Sequence, residues 1–268
     1  MFETLTFEKR NHVGYVTLHR PKAMNAFNEQ MGDELVALFS AMEQDADVRV
    51  SILTGSGEKA FCAGADLKDP RTHSLEVLSE FLETRHGHFF DAIAHYPKPV
   101  IAAVNGYAVG AGFQIALCCD VIFASDNARF ILPQVSLGIL PAYGGAVRLA
   151  RFVGKGRAME IILSCMTVEA QEAYRIGLAN RVVPLPELMA TAQNLARKLA
   201  AMPPLSLRLA KESLNRGLDV PLAQATHNDL YRFFALVGTQ DRKEGHRAAR
   251  EKILHRRGRG KEAKFRGR

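Results

Sequence analysis

The sequence predicts an α/β fold, with a parallel sheet followed by a helical C-terminal region. Short apolar runs of strand length, such as Val48–Thr54, Val100–Val104 and Val121–Ser125, alternate with segments of helical periodicity. Strands that alternate with helices are typical of a parallel sheet with crossover helices. From Gly144 onward the chain becomes helical. The sheet is therefore expected in the first part of the chain.

The N-terminal elements follow from two different periodicities. Two strands are predicted at Phe2–Arg10 and His12–Leu18, because apolar and polar residues alternate there, unlike in a signal peptide. A helix is predicted over residues 28–44 and another within residues 70–96. The first of these helices places four apolar residues on one face: Leu35, Leu38, Phe39 and Met42.

The C-terminal half is predicted to consist of consecutive helices. Pro203-Pro204 and Pro221 mark boundaries between them. The predicted helices are Ala146–Phe152, Gly156–Leu163, Val168–Ile176, Leu185–Ala201, Pro204–Arg216 and Pro221–Ala235, the last continuing to Leu254. No internal repeat is visible in this region or elsewhere.

Composition indicates a soluble globular protein in a reducing cytoplasm. Apolar residues make up 47% of the chain and charged residues 24%. No apolar run approaches the roughly 20 residues that span a bilayer, so no membrane partner is expected. The four cysteines lack metal-ligand spacing, which favours free thiols and predicts no metal site. They are Cys62, Cys118, Cys119 and Cys165.

Residues 99–120, PVIAAVNGYAVGAGFQIALCCD, hold the main candidate for a functional site. An apolar strand leads through Asn105-Gly106 to Gly110-Ala111-Gly112, after which apolar residues continue with helical spacing. A helix that starts in small residues exposes backbone N–H groups at its positive end, which suits an anion or oxyanion. The alternative is an ordinary connection whose small residues only allow close packing. A second small-residue turn in Ala60–Leu67 favours the site, because each turn could direct one N–H group at the same oxygen.

AFCAGADL (60–67) and KPVIAAVNGYAVGAGFQIALCCDVIFAS (98–125) resemble the crotonase superfamily, also called the enoyl-CoA hydratase/isomerase family. The match extends from HRPKAMNAF (19–27) to EAYRIGLANRVVP (172–184). This resemblance implies the ClpP/crotonase fold, a spiral of ββα units with a helical C-terminal trimerisation region. It also implies a homotrimer or a dimer of trimers. Residues 1–200 would form the acyl-CoA-binding core, and residues 201–268 the helical C-terminal region with a basic tail.

The resemblance assigns the oxyanion hole for the thioester carbonyl to the N–H groups of Ala65 and Ala111. Two glutamates transfer protons in resembling hydratases, and their positions here read Gln114 and Gln134. An amide cannot act as a general acid or base near neutral pH. Related isomerases use an aspartate where this chain has Ala142.

Three other residues remain candidates for proton chemistry. Tyr143 could donate a hydrogen bond or a proton, and its alternative role is packing of its loop. His86 and His88 lie where some relatives that act on aryl-CoA thioesters carry a catalytic histidine, and histidine titrates near neutrality. Their alternative role is that of surface or packing residues on a helix.

Coenzyme A is expected to bind between the RPKAMNAF loop and the AFCAGADL turn, as part of the substrate, so no separate cofactor is expected. Asp66 could also cap the helix predicted after it. Any single lysine here could equally be plain surface charge. The residues that the resemblance assigns to CoA binding are Lys22, Ala23, Ala26, Ala63, Ala65, Asp66 and Leu67.

The net charge of +7 comes from the C-terminal end. Arg242–Arg268 holds 12 Lys or Arg and 3 Asp or Glu, a balance of +9, which leaves −2 for the remaining residues. Residues 255–268 are predicted to be a frayed or disordered solubilising tail. The alternative is attraction to CoA phosphates or to nucleic acid.

Together these features predict an acyl-CoA-processing enzyme, with fatty acid metabolism as the setting that the resemblance implies. Because both glutamates are replaced, classical hydratase activity is not expected, and hydrolase, decarboxylase or C–C cleavage chemistry is favoured. The alternative is a weakly catalytic or non-catalytic acyl-CoA binder whose basic tail engages RNA or another partner.

Overall fold

The computed structural model describes residues 2–68, 88–254 and 263–267. The strands of this part of the chain form two sheets, one of six strands and one of four. In chain order they are β1 (Leu5–Arg10), β2 (Val13–Leu18), β3 (Val50–Gly55), β4 (Ala60–Cys62), β5 (Val100–Val104), β6 (Tyr107–Val109), β7 (Val121–Ser125), β8 (Arg129–Ile131), β9 (Val168–Glu169) and β10 (Arg181–Val183).

Helices connect these strands and make up most of the C-terminal part. None of the helices in the described ranges has a stretch long and apolar enough to cross a bilayer. The α-helices are α1 (Glu29–Gln44), α2 (His88–Ala94), α3 (Ala111–Cys118), α4 (Gly145–Val153), α5 (Lys155–Ser164), α6 (Ala170–Arg175), α7 (Leu185–Ala200), α8 (Pro204–Gly217), α9 (Leu222–Val237) and α10 (Gln240–Leu254).

The larger sheet has the order β1-β2-β3-β5-β7-β10. Strands β1 and β2 form an antiparallel hairpin, and every other neighbouring pair in this sheet is parallel. The hairpin turn is Asn11-His12, with φ angles of 51° and 62°. Two residues with positive φ suit a two-residue hairpin, because they match the twist of its strands.

The smaller sheet has the order β4-β6-β8-β9 and gives the fold its spiral. Strands β3, β5 and β7 of the larger sheet are each followed by a short strand of the smaller sheet: β4, β6 and β8 respectively. Helix α3 follows β6, and a helix likewise follows each of the other two strand pairs. These repeated ββα units confirm the predicted crotonase-like α/β fold with a helical C-terminal region.

Helix α1 buries the face that its sequence predicted, with Leu35, Leu38, Phe39 and Met42 all at most 2% exposed. Its N-terminus is capped by Asn28, whose side-chain oxygen accepts the N–H of Met31 at 3.2 Å. Helix α7 covers part of the larger sheet, where its alanines pack against strand residues such as Ile52 and Phe123. The sheet is therefore buried by helices, as continuous apolar strands require.

Some predicted boundaries were wrong. Residues 168–176 were predicted as one helix, but Val168–Glu169 pairs antiparallel with β8 and helix α6 begins only at Ala170. The helix predicted from Pro221 to Leu254 is interrupted at Gly238 and forms α9 and α10. The helix predicted within residues 70–96 falls mostly outside the described residues, which resume at His88 with α2.

Helix α8 is joined to the core by a half-buried ion pair. The Nζ of Lys211 lies 2.7 Å from Oδ2 of Asp120 and donates to the carbonyl of Lys98 at 3.0 Å. The same carboxylate oxygen accepts the N–H of Val100 at 2.7 Å, so α8 is tied to strand β5. The predicted division of the chain into residues 1–200 and 201–268 stays a prediction.

The last described residues dock on the body of the protein. The carboxylate of Asp241, 4% exposed, accepts the N–H groups of Arg266 and Gly267, both at 2.7 Å. The guanidinium of Arg49 donates to the carbonyl of Phe265 at 3.1 Å. The prediction of a frayed or disordered tail is therefore wrong for residues 263–267, since the buried Asp241 and the half-buried Arg49 hold this backbone.

Candidate active site

Two glycines bring together the turns that follow β4 and β6. Gly64 has a φ angle of 96° and Gly110 one of 50°, in the region that glycine adopts at low cost. A Cβ on Gly64 would lie 3.0 Å from the carbonyl oxygen of Val109, and one on Gly110 would lie 3.9 Å from the Gly64 Cα. The turns are therefore in contact, and Ala65 and Ala111 directly follow the two glycines.

The N–H group of Ala65 is not used by the bridge that holds its turn. The N–H of Phe27 donates to the carbonyl of Gly64, and the N–H of Asp66 donates to the carbonyl of Phe27, both at 2.7 Å. In this parallel pairing the residue between the two bonded groups directs its own N–H to the opposite side. The Ala65 N–H therefore points away from Phe27.

Ala111 is the first residue of helix α3. The first N–H groups of a helix have no intrahelical acceptor and lie at the positive end of its dipole. The helix starts directly against β4, because a Cβ on Gly112 would lie 2.1 Å from the carbonyl oxygen of Cys62. Close packing and exposed N–H donors therefore occur in the same turn. The two interpretations of this turn, an oxyanion site and a connection whose small residues only allow close packing, do not exclude each other.

Adjoining backbone donors of this kind can stabilise negative charge on an oxygen without any side chain. They cost no reorganisation during the reaction, because the surrounding strands already fix them. The oxyanion role of Ala65 and Ala111 stays a prediction from the resemblance, and the contact between their turns supports it.

Two buried asparagines hold the loop that leads into β4. The amide nitrogen of Asn105, 4% exposed, donates to the carbonyl of Gly57 at 2.7 Å. That of Asn25, 1% exposed, donates to the carbonyl of Ala60 at 2.8 Å. Asn105 lies just before strand β6, and Gly57 lies just before strand β4. The Asn105 side chain therefore links the two segments that lead to the paired turns. The sequence indicated only a turn at Asn105 and missed this role.

An ion pair joins the RPKAMNAF loop to the turn that carries Ala65. Arg20 Nη2 lies 2.8 Å from Asp66 Oδ2, and Arg20 Nη1 donates to the carbonyl of Ala26 at 2.6 Å. The hydrogen bond from Arg20 lowers the pKa of the Asp66 carboxyl group. Arg20 was not predicted as a site residue. The helix that Asp66 was predicted to cap lies outside the described residues.

The residues predicted to bind CoA lie along one seam between two segments. The N–H of Ala63 donates to the carbonyl of Met24 at 3.1 Å, which holds the RPKAMNAF loop beside the AFCAGADL turn. Lys22 and Leu67 are exposed, whereas Ala26 is buried. Their contact with CoA stays a prediction. The residues of this seam are Lys22, Ala23, Ala26, Ala63, Ala65, Asp66 and Leu67.

Gln114 and Gln134 form a hydrogen-bonded pair beside the paired turns. Both are buried, at 5% and 8% exposure. The Nε2 of Gln134 donates to the Oε1 of Gln114 at 2.9 Å, and the Nε2 of Gln114 donates to the carbonyl of Ala142. A Cβ on Gly110 would lie 3.7 Å from the Gln134 Nε2. The two residues therefore meet each other next to the turn that carries Ala111.

The Gln114–Gln134 pair offers hydrogen bonds but no titratable group. Amides neither gain nor lose a proton near neutral pH. The Oε1 of Gln134 is buried and, among the described residues, has no hydrogen-bond partner. A Cβ on Gly145 would lie 2.7 Å from the Gln114 Nε2, so the following loop packs tightly on the pair. The pair is therefore fixed in place with one acceptor atom unused.

Tyr143 takes part in packing. Its ring stacks on Phe90 with centroids 5.5 Å apart and an interplanar angle of 23°. Burial raises the pKa of the Tyr143 hydroxyl, which makes it a weaker proton donor. Its proton-transfer role stays a prediction. His86 lies outside the described residues, and His88 is the first residue of α2.

The cysteines of the core are neutral thiols. Burial raises the pKa of Cys62 to about 11 and that of Cys118 to about 12. The thiolate is the form that attacks or binds metal, so neither residue is a nucleophile at neutral pH. Within residues 2–68, 88–254 and 263–267, no group of three or more His, Cys, Asp or Glu side chains could hold a metal ion.

The fold and the site define an α/β spiral protein in which two small-residue turns meet beside a buried side-chain pair. A family model described as enoyl-CoA hydratase/isomerase matches residues 8–256. The chain therefore belongs to the enoyl-CoA hydratase/isomerase family, the crotonase superfamily, whose enzymes act on acyl-CoA thioesters.

Several hydratases are similar to this chain over nearly their whole length. The short-chain-enoyl-CoA hydratase of Clostridium acetobutylicum is 40% identical over 245 residues, which cover 91% of this chain and 94% of the relative. The crotonyl-CoA hydratase of Syntrophomonas wolfei is 38% identical over 251 residues, covering 94% and 96%. The crystal structure of enoyl-CoA hydratase from Bacillus anthracis has a TM-score of 0.91 at 34% identity, covering 99% and 100%.

Proposed function

We propose that this protein is an acyl-CoA enzyme that polarises a thioester and stabilises its enolate or tetrahedral oxyanion without a carboxylate as general acid or base. Thioester hydrolysis, decarboxylation and retro-Claisen ring opening are the reactions that fit this description. The observation that carries the proposal is the hydrogen bond between Gln114 and Gln134 beside the turn of Ala111.

Proton transfer separates decarboxylation most clearly from enoyl-CoA hydration. Hydration needs a base that takes a proton from water and an acid that protonates the α-carbon, and such groups contribute roughly 10²- to 10⁴-fold each. The amide pair supplies neither. Loss of CO₂ instead needs no base, because it leaves the electron pair of the broken C–C bond on the α-carbon as an enolate, which then takes a proton from water. Backbone donors at the thioester oxygen are what that step requires.

The test is hydration of crotonyl-CoA, followed as loss of its enone absorbance. The wild-type protein is compared with a double variant, Gln114→Glu with Gln134→Glu. We expect the wild type to be slower than the double variant by roughly 10²-fold or more, because the variant restores both proton-transfer groups. Gln171→Glu, at an exposed position on α6, is the matched control and should behave as the wild type.

A wild type that hydrates crotonyl-CoA as fast as the double variant would overturn the proposal. The hydratase activity named for the relatives would then be the better proposal for this chain. If the wild type is inactive, malonyl-CoA, β-keto and cyclic β-keto acyl-CoA thioesters are tested next. Release of free thiol detects hydrolysis, whereas the mass of the acyl product detects decarboxylation and ring opening.

We also propose that the protein assembles as a homotrimer or a dimer of trimers. Helices α8 and α9 bury none of their residues within the single chain. Several large apolar side chains on these helices and on the turn between them are more than half exposed, as at an interface. They are Leu214, Leu218, Leu222, Leu230, Tyr231, Phe233 and Phe234.

A further inference from the structure

We infer that Arg20 is a positioning residue, which fixes the direction of the Ala65 N–H group through its ion pair with Asp66. This inference rests on the proposed function, because the Ala65 N–H is one of the two proposed donors to the thioester oxygen. Its basis is that one guanidinium group holds both segments of the backbone bridge that carries the Ala65 turn.

The turn of Ala65 is attached to the preceding loop by an isolated bridge between Phe27 and Ala65. The bridge consists of two hydrogen bonds to the main chain of Phe27, both 2.7 Å long. On the β4 side of the turn, the N–H of Ala63 donates to the carbonyl of Met24 at 3.1 Å. The alanine side chain itself has no polar atom. The direction of its N–H group therefore depends on how the two segments are held together.

The guanidinium of Arg20 joins the residues next to this bridge on both segments. Its Nη1 donates to the carbonyl of Ala26 at 2.6 Å, and its Nη2 lies 2.8 Å from the Oδ2 of Asp66. Ala26 directly precedes Phe27, and Asp66 directly follows Ala65. Because a guanidinium is planar and presents its donors in a fixed arrangement, one rigid group sets the spacing of the two segments.

Arg20 and Asp66 are themselves held in place. The N–H of Arg20 donates to the Oδ1 of Asn25 at 3.0 Å, and the carbonyl of Arg20 accepts the N–H of Asn25 at 2.9 Å. The other carboxylate oxygen of Asp66 accepts the N–H of Lys68 at 3.1 Å. The side chains of Arg20 and Asp66 are 24% and 15% exposed. The ion pair is therefore less screened by water and salt than a pair on the open surface.

Such a contact affects chemistry because the strength of a hydrogen bond depends on its direction. Donors that stabilise a developing oxyanion act only if they are already directed at its position. Loss of the Arg20 side chain should therefore weaken the polarisation of a bound carbonyl. The alternative is that Arg20 and Asp66 only help to bind CoA. That role would affect every CoA ligand equally, whether or not it has a carbonyl next to the sulfur.

The test compares butyryl-CoA with S-butyl-CoA, the thioether in which CH₂ replaces the carbonyl. Their affinities are measured by isothermal titration calorimetry for the wild type, Arg20→Met and Asp66→Ala. We expect the affinity of butyryl-CoA relative to S-butyl-CoA to fall roughly tenfold in both variants, which is about the effect of one hydrogen bond. Arg20→Lys keeps the charge but not the planar fork, and should also lower this ratio.

The stretching band of the thioester carbonyl is a second readout, which does not depend on affinity. Infrared difference spectra of bound butyryl-CoA with and without ¹³C at the carbonyl isolate this band. We expect the wild type to lower its wavenumber relative to water, because directed donors polarise the C=O bond. Arg20→Met and Asp66→Ala should lose most of this shift. If the wild type hydrolyses butyryl-CoA, both readouts use the ketone in which CH₂ replaces the sulfur.

Arg175→Met is the matched control, since Arg175 pairs with Glu172 at the exposed surface of α6. It should keep the affinity ratio and the carbonyl band of the wild type. Binding of S-butyl-CoA shows that each variant is folded, and if Arg20→Met does not bind it, Arg20→Lys and Asp66→Ala decide the inference.

A lowered carbonyl band and an unchanged affinity ratio in the Arg20 and Asp66 variants would overturn the inference alone. Equal losses of affinity for both ligands, with the band unchanged, would likewise overturn it and would assign the pair to CoA binding. A wild type that does not lower the carbonyl wavenumber would overturn the proposed function and this inference together, because no donors would then act on the thioester oxygen.

Discussion

At the scale of single residues, the site depends on a position where no side chain fits. Gly112 lies in the first turn of α3, and a Cβ there would lie 2.1 Å from the carbonyl oxygen of Cys62. Backbone atoms cannot move aside as the end of a flexible side chain can. The small residue therefore sets how closely the helix approaches β4.

Gly112→Ala should lower the free energy of unfolding by roughly 2 kcal/mol or more, because the helix start has to move off β4. Gly156→Ala is the matched control. Gly156 lies in α5 with no other group within 4 Å of its Cβ position, and alanine there should stabilise the protein by about 1 kcal/mol at most. Urea unfolding of both variants checks this. Equal effects would show that the contact with Cys62 does not limit the packing.

The residues that form the site were predicted unevenly from the sequence. Ala65 and Ala111 were proposed because small-residue turns are visible as local patterns, and the structure brings their two turns into contact. Arg20 and Asn25 were missed as contributors, since each acts on a group in a distant segment. Arg20 pairs with Asp66, and Asn25 bonds to a carbonyl 35 residues away. No local pattern specifies such long-range partners.

At the scale of elements, helix α1 holds the N-terminus through Glu34. This carboxylate, 7% exposed, accepts the N–H of Glu3 at 2.8 Å and the N–H and hydroxyl of Thr4 at 2.9 and 2.6 Å. Burial alone would raise the pKa of Glu34, but these hydrogen bonds together outweigh burial and lower it. Folding therefore favours the ionised form.

Glu34→Gln should cost about 1–3 kcal/mol of unfolding free energy at pH 7. The pKa of Glu34 in the folded state lies below its value of about 4.3 in the unfolded state, so the stabilisation is complete at pH values above about 4.3. It is lost as pH falls through the folded pKa. Unfolding in urea at pH 7 and below pH 4 measures the difference, with Glu43→Gln, exposed on the same helix, as the control. A cost that does not change with pH would contradict this account.

Long elements were predicted better than short ones. Helices α1, α7 and α8 lie close to their predicted bounds, because several turns of apolar periodicity define each of them. Strands β6 and β8 have three residues each, too few for an alternation to be recognised. The strand Val168–Glu169 was predicted as part of the following helix for the same reason.

At the scale of the whole molecule, the apolar surface of α8 and α9 predicts self-association. Light scattering after size-exclusion chromatography should give about three or six times the chain mass of 29.6 kDa. Replacing Phe233 and Phe234 together by Glu should reduce the mass, because charges would be buried without partners. Thr6→Glu, at an exposed position of β1, is the control. A wild type with the mass of one chain would contradict the proposed assembly.

The positive net charge of the whole molecule comes from the C-terminal end of the chain. The sequence of that end did not indicate which residues hold it on the protein. Glycine and charged residues predicted disorder over residues 255–268. Residues 263–267 are instead held by Asp241 and Arg49. Asp241 accepts hydrogen bonds from main-chain N–H groups, and Arg49 donates one to a main-chain carbonyl. Because main-chain groups occur in every sequence, the composition of the tail could not reveal these contacts.

The side-chain amides and the main-chain N–H groups of this site differ in how a mutation can change them. Codons for Gln and Glu differ only in their first base, so a single base change at position 114 or 134 exchanges a proton-transferring side chain for a neutral one. No substitution of Ala65 or Ala111, other than by proline, removes a main-chain N–H. Point mutation can therefore change the charge of the side-chain pair while the main-chain N–H groups of Ala65 and Ala111 persist.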